Sequence, residues 1–452
     1  MSPLDVSRVQ RRTLSLLFMT QVVGGSGVAM GIAVGALLAA AMGGAGVSGL
    51  AASASVVGGA LLAVPATRLI RSRGRRPGLV FAYACGVCGA LVVVTAAAIG
   101  SVALLFVGMA LFGGGSAANL QARYAAADLS GPDRRARHLS LIVWATTLGS
   151  VAGPNLAPLA DRYAHRSGLP TYTGPFVISA VAFTVVALVI AAALRPDPLL
   201  VAREVGRDAV PAGSAAGPDA GPVAGPDAAP AAGPDAGLVA GPDAAPAAGL
   251  REAARAVRAV PAARLGVSAV AVGHLVMVGV MSMTPVHIGG YVHGDVLRVV
   301  GVVLSLHIGG MYALSPLVGW LTDRLGRRQV ILGGLATLLV ACAVAGTAGH
   351  HTPRLGLGLG LLGVGWSGTM IAGSTLLSES VGTVVRPAVQ GLSDLVMGLS
   401  GAFAGAMSGL VVSWSGYPTL TLLAAIATVP LIALALRSVP ALAISEGSRE
   451  CG

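Results

Sequence analysis

Apolar positions in this chain form long unbroken blocks, near residues 14–41, 46–67, 78–99, 101–122, 139–160, 174–194, 265–290, 296–320, 329–349, 354–378, 388–413 and 417–436. A helix rises roughly 1.5 Å per residue and needs about 20 apolar residues to cross the ~30 Å hydrocarbon layer of a bilayer. Each block therefore predicts one membrane-spanning helix. Strands do not fit, because a lone strand leaves its backbone unpaired in lipid and the alternating pattern of a membrane barrel is missing. The expected fold class is an all-α membrane protein with twelve transmembrane helices in two six-helix pseudo-repeat bundles.

Polar residues break the pattern most strongly between the sixth and seventh spans. Residues 195 to 250 are rich in proline, alanine and glycine, and Gly-Pro-Asp recurs at 217, 225, 233 and 241, a period of eight. A unit so short and polar cannot stack into a solenoid, so the segment reads as a disordered, partly extended linker. Residues 251 to 264, with Arg251, Arg255, Arg258 and Arg264, read as the basic flank of the next span, or else as a short helix lying on anionic lipid. The expected organisation is a first bundle at 1–194, a linker at 195–264, a second bundle at 265–437 and a tail at 438–452. Six spans, a linker and six more is the layout of transporters built from two parallel repeats.

Composition supports the bilayer, with 55% of residues hydrophobic and 10% charged. Charge adds orientation, since all 29 basic residues are arginine. With the amino terminus in the cytoplasm, 25 of them fall in cytoplasmic segments and four, Arg162, Arg166, Arg298 and Arg354, fall outside, the asymmetry that governs insertion. This predicts a multi-pass protein of a bacterial cytoplasmic membrane whose termini and linker are cytoplasmic. The net charge of +11 is then topological, and arginines scattered over short loops make no nucleic-acid face. Expected partners are the lipid bilayer and the transported ion or small molecule, with the chain a monomer and no tightly bound cofactor. The first 12 residues lack the small-residue cleavage site of a removable signal peptide, so the first span is expected to stay. Cys85 and Cys88 read as small buried residues of the third span, and four cysteines imply no disulfide framework.

The loop after the eighth span reads "GWLTDRLGRR", and the corresponding loop of the first half reads "TRLIRSRGRR". Gly319, Asp323, Arg324, Gly326, Arg327 and Arg328 complete a pattern that resembles the loop signature of the major facilitator superfamily, and with the six-plus-six layout the resemblance covers nearly all of the chain outside the linker. Physically, Asp323 at a helix end beside three arginines makes an ion-pair latch that can form and break. Arg71 and Thr67 replace the aspartate and the first glycine in the first half, so that loop is expected to lack the same pair. "GSVAGPNLAP" at 149 to 158 is similar to the glycine-proline motif of proton-coupled drug antiporters in that superfamily. The other reading is close packing with a kink at Pro154. Met109 stands where those antiporters carry an arginine. Gly27, Gly31 and Gly35, and Gly401, Gly405 and Gly409, make small faces on the first and eleventh spans that let helices touch along their backbones.

Candidate chemistry concentrates in the seventh and eighth spans. Met277 and Met281 lie one turn apart with His274 on nearly the same face, and His307 and Met311 repeat the spacing on the next span, both pairs near mid-membrane. Thioether sulfur with imidazole is a soft, neutral donor set suited to Cu(I), although each methionine taken alone is an ordinary packing residue. The Met-x-x-x-Met and His-x-x-x-Met pairs resemble those of the CcoA-like copper importers of bacteria. That resemblance implies one Cu(I), as the transported ion, held between the seventh and eighth spans by Met277, Met281, His307 and Met311. His274, Met283 and His287 are accessory candidates, and Met283, His287 and His293, continuing towards the outside, imply import. Closely related sequences carry riboflavin, so a riboflavin-like solute, or a drug in exchange for protons, is the alternative cargo.

Asp394 in the eleventh span is the candidate buried carboxylate for proton coupling, or else pairs simply with an arginine such as Arg386, and Arg123 reads as a topological charge or a gate contact closing the fourth span beside Asn119 and Gln121. No nucleophile motif, phosphate loop or carboxylate cluster marks an enzyme. A sensor would need a folded soluble output domain, which a repeat-rich linker and a 15-residue tail do not provide. The expected function is secondary transport by alternating access.

Overall fold

The computed structural model describes residues 3–129, 135–208, 250–382 and 385–437, and these are helical throughout, without strands. The first half comprises α1 (Pro3–Gly43), α2 (Ala45–Arg73), α3 (Arg75–Ile99), α4 (Val102–Ala127), α5 (Arg135–Arg166) and α6 (Gly174–Ala193). The linker contributes α7 (Pro198–Asp208) and α8 (Leu250–Ala259). The second half comprises α9 (Pro261–Gly289), α10 (Val296–Tyr312), α11 (Ser315–Leu325), α12 (Arg327–Gly346), α13 (Thr352–Ser380) and α14 (Arg386–Leu436). Among the described residues ten helical stretches are long and apolar enough to cross a membrane.

Three departures from the expected pattern have local causes. The eighth span is two helices, α10 and α11, separated at Ala313 and Leu314, with Pro316 in the first turn of α11 where its missing N–H costs nothing. The eleventh and twelfth spans run on as α14, which bends at Gly416, a left-handed position (φ 81°) that glycine adopts without strain. The linker, expected to be structureless from 195, folds into α7 at once, while its Gly-Pro-Asp repeats lie outside the described residues. In α8, Ala253 packs against Leu377 and Val389 of the second half. Arg251, Arg255 and Arg258 of α8 stay exposed.

The first half is built around Tyr83, Phe112, Phe176 and Phe183, all buried. The glycine face of α1 receives these rings rather than a neighbouring backbone: a Cβ at Gly27, Gly31 or Gly35 would meet Phe183, Phe112 or Met109. That corrects the expected role of this stripe. Met109 is therefore core. Cys85 and Cys88 are half-buried and exposed on α3, not buried. In the second half α13 packs against both α9 and α10, which meet each other only sparingly.

The halves are joined at the end away from the linker. A Cβ on Gly49 of α2 would collide with the backbone of Gly405 and Gly409 of α14, so the two helices touch main chain to main chain. Ser53 donates to the Ala402 carbonyl (2.7 Å) and Ser48 to the Met283 sulfur (3.3 Å). On the other side of the interface, Asn155 of α5 donates to Ser305 of α10 (2.6 Å) and Gly301 lies against the Pro154 carbonyl. Arg162 reaches Asp295 at 4.0 Å at the rim. The glycine-proline segment is thus a packing device: Gly149 and Gly153 seat α5 on the α1 backbone, and Pro154 faces α10.

Candidate transport site

The two expected ligand pairs approach α13 from opposite sides. His307 is fully buried, and its Nδ1 is 2.9 Å from the Leu359 carbonyl of α13, a bond that requires the Nδ1–H tautomer. Its Nε2 is buried without a hydrogen-bond partner among the described residues. Met311, one turn on, lies where α10 crosses Gly363. Met277 is buried on α9, close after Gly273, which faces Thr369 of α13, and Met281 is half-buried. The pairs therefore share a depth, as expected from sequence, but α13 stands between them instead of a direct contact of the two helices. The accessory residues are committed elsewhere. Met283 is fully buried at the joined end with its sulfur accepting from Ser48, and His287 stacks on Tyr417 (4.4 Å between centroids) with its Nε2 3.1 Å from the Gly349 carbonyl.

A second cluster, not expected from the sequence, spans the two halves on the linker side of the joined end. His274, near the middle of α9, accepts a hydrogen bond at Nδ1 from the Trp366 Nε1–H of α13 (3.3 Å). That bond leaves the ring hydrogen on Nε2, which lies against Gly401 of α14. Trp366 meets Tyr312, at the end of α10, edge to face at 6.1 Å. Arg123 of α4, from the first half, lies within electrostatic reach of Tyr312. Its Nε is buried without a hydrogen-bond partner, and the guanidinium makes no ion pair among the described residues. The sequence offered little signal for Tyr312 and Trp366, which read as ordinary residues until α13 brings them together. Nearby, Tyr83 donates to Asn119 (2.8 Å) and Gln121 bonds Thr67 and Arg75, while the buried Ser367 hydroxyl has no hydrogen-bond partner among the described residues.

Asp394 is exposed, not buried as expected. Spaced seven and eleven residues from Gly401 and Gly405, it shares the α14 face that carries them, towards the linker end.

At the linker end the two repeats carry matching latches. In the second half Arg327 pairs with Glu379 of α13 (2.6 Å) more closely than with Asp323 (3.5 Å), and Arg324 sits 5.1 Å from the centre of the Trp320 ring. Arg328 bonds the last carbonyls of α14. Gly319 has open space beside it, and Gly326 turns the chain at φ 98°. In the first half Gly74 repeats that turn at φ 97°, and Arg75 pairs bidentately with Asp128, which caps the end of α4 (2.8 and 2.9 Å). The first-half loop lacks the same pair and makes one with an acid from outside the loop instead.

Two bundles of membrane-spanning helices, joined at one end and bearing polar groups of both halves on the other side of the joint, define a membrane transporter of small molecules rather than an enzyme. The chain belongs to the Major Facilitator Superfamily, whose profile matches residues 15–306 and 296–449. It is 36% identical over 438 residues to the "Uncharacterized MFS-type transporter YddS" of Bacillus subtilis (strain 168), covering 95% of this chain and 92% of that one. It is also 25% identical over 440 residues to the riboflavin transporter RfnT of Brucella anthropi, with 96% and 98% covered. A bacterial homolog of the human lysosomal transporter Spinster, solved inward-facing and unoccupied, shares the fold with a TM-score of 0.66 at 14% identity, over 96% of this chain and 97% of that one.

Proposed function

We propose that the protein is a secondary transporter that moves a small organic solute across a bacterial cytoplasmic membrane by alternating access, holding it between the halves against Arg123, Tyr312, Trp366 and His274. Arg123 carries this reading. A guanidinium nitrogen buried between two halves without a partner is costly, and the cost is offset once a cargo pairs with it. The riboflavin transporter among the relatives adds support for a planar aromatic cargo. With termini and linker in the cytoplasm, the joined end is the outer one, and the state described here is open inwards. Asp394, exposed on the α14 face below Gly401, is the carboxylate we assign to proton coupling. Uptake of labelled riboflavin and related aromatic solutes into proteoliposomes tests the reading. Trp366→Ala should lower saturable uptake at least tenfold without loss of folded protein, and unchanged uptake would remove the cluster from the transport path.

Cu(I) as cargo is the second reading, and one observation favours it. The Leu359 carbonyl fixes Nδ1 of His307 and leaves a buried, unpartnered Nε2, as in metal-ligating histidines, with Met311 one turn away. Met277 and Met281 would have to reach that point past α13. Copper content of the protein purified under reducing conditions, together with uptake by the Met277→Leu, Met281→Leu double variant, decides between the cargoes. Copper-free protein and unchanged uptake leave the organic solute alone.

A further inference from the structure

We infer that the solute held between the halves is a planar aromatic anion, its carboxylate or phosphate on Arg123 and its ring against Trp366 and Tyr312. The inference rests on the solute site proposed above and specifies its chemistry.

The polar groups of the cluster are donors. A guanidinium has five N–H groups and no acceptor, in a planar fork that matches a carboxylate or phosphate with two parallel bonds. The Nε of Arg123 is buried and unpartnered. His274, having accepted from Trp366 at Nδ1, carries its hydrogen on Nε2. A set of this kind is complementary to an acceptor-rich, negatively charged solute and repels a cation.

Three acids at the same end face other arginines. Asp128 is held bidentately by Arg75, and Glu379 and Asp323 face Arg327. Arg123 itself makes no ion pair among the described residues, so the anion that neutralises it is left for the cargo to bring. The apolar part of the cargo meets two rings set edge to face, with an interplanar angle of 74°, so a flat body lying on one ring touches the edge of the other. Arg123 stands towards the linker end of α4, whereas Trp366 and His274 lie near the middle of their helices. The ring therefore enters deepest and the anion stays nearer the linker side.

The test uses the full chain in lipid nanodiscs and two matched pairs of probes, riboflavin with its 5′-phosphate (flavin mononucleotide) and benzamide with benzoate, measured by equilibrium dialysis. In at least one pair the anion should bind tenfold or more tighter than its neutral partner, as a charge-assisted hydrogen bond implies. Arg123→Gln should erase that preference, while Arg123→Lys, which keeps the charge but not the fork, should retain part of it. Thermal unfolding of each variant confirms that it is folded. Equal binding of neutral and anionic partners, or a preference that survives in Arg123→Gln, overturns the inference and leaves the aromatic site standing. No binding of any probe, with uptake unaffected by Trp366→Ala, overturns both.

Discussion

At the scale of single residues, the acids that pair with Arg75 and Arg327 should differ in weight. Asp128 and Arg75 have side chains 9% and 13% exposed, and breaking so buried a pair leaves an uncompensated charge, a loss of about 3 kcal/mol. Glu379 is 51% exposed, so Glu379→Gln should cost about 1 kcal/mol. Asp323, 77% exposed and 3.5 Å from Arg327, should cost less again. Thermal melting of Asp128→Asn, Glu379→Gln and Asp323→Asn checks the order, and equal effects would contradict it. Gly401 makes a separate case. Its added Cβ would fall 2.8 and 2.9 Å from Cδ2 and Nε2 of His274, so Gly401→Ala should push the ring off Trp366. Solute affinity should fall severalfold with a stability loss of only about 1 kcal/mol. These contacts were only partly legible in the chain. Asp323 stood out by its motif, whereas Asp128 and Glu379 match only as acids three residues before a glycine at the ends of corresponding helices, a pattern that gains meaning once the arginines are seen against them.

At the scale of elements, α2 and α14 close one end of the molecule because neither has a side chain at the crossing. Gly49→Val should wedge them apart, since even a Cβ has no room against the Gly405 and Gly409 backbone. Spin labels on the outer ends of the two helices should read a longer distance in the variant, and an unchanged distance would show that the crossing is not what joins the halves. The linker divides in the same way. α7 and α8 sit against the bundles at either side of the Gly-Pro-Asp repeats, so deleting 213–248 should leave melting and uptake nearly unchanged.

For the whole molecule, orientation is the testable quantity. We propose from the arginine asymmetry that the linker, both termini and the Arg75 and Arg327 latches face the cytoplasm, with the Arg162–Asp295 pair outside. A cysteine introduced at Gly233 should resist membrane-impermeant labelling from outside intact cells, and one at His293 should label readily. The reverse result would invert the direction in which the described state opens.

Hydrophobic block length by itself determined the all-helical, membrane-spanning class, because crossing a bilayer is a requirement each segment meets alone. The loop signature added the superfamily, and the methionine and histidine spacing was legible because helical periodicity is local. Tertiary structure decided which side chains meet. It placed α13 between the two expected ligand pairs, used the α1 glycines as seats for aromatic rings, and gave Met283 and His287 to packing. It also brought Arg123 from one half towards Tyr312, Trp366 and His274 of the other. No local pattern encodes that meeting, since it depends on how two bundles lean together, and a guanidinium looks the same in sequence whether its partner is a lipid phosphate, an aspartate or a cargo.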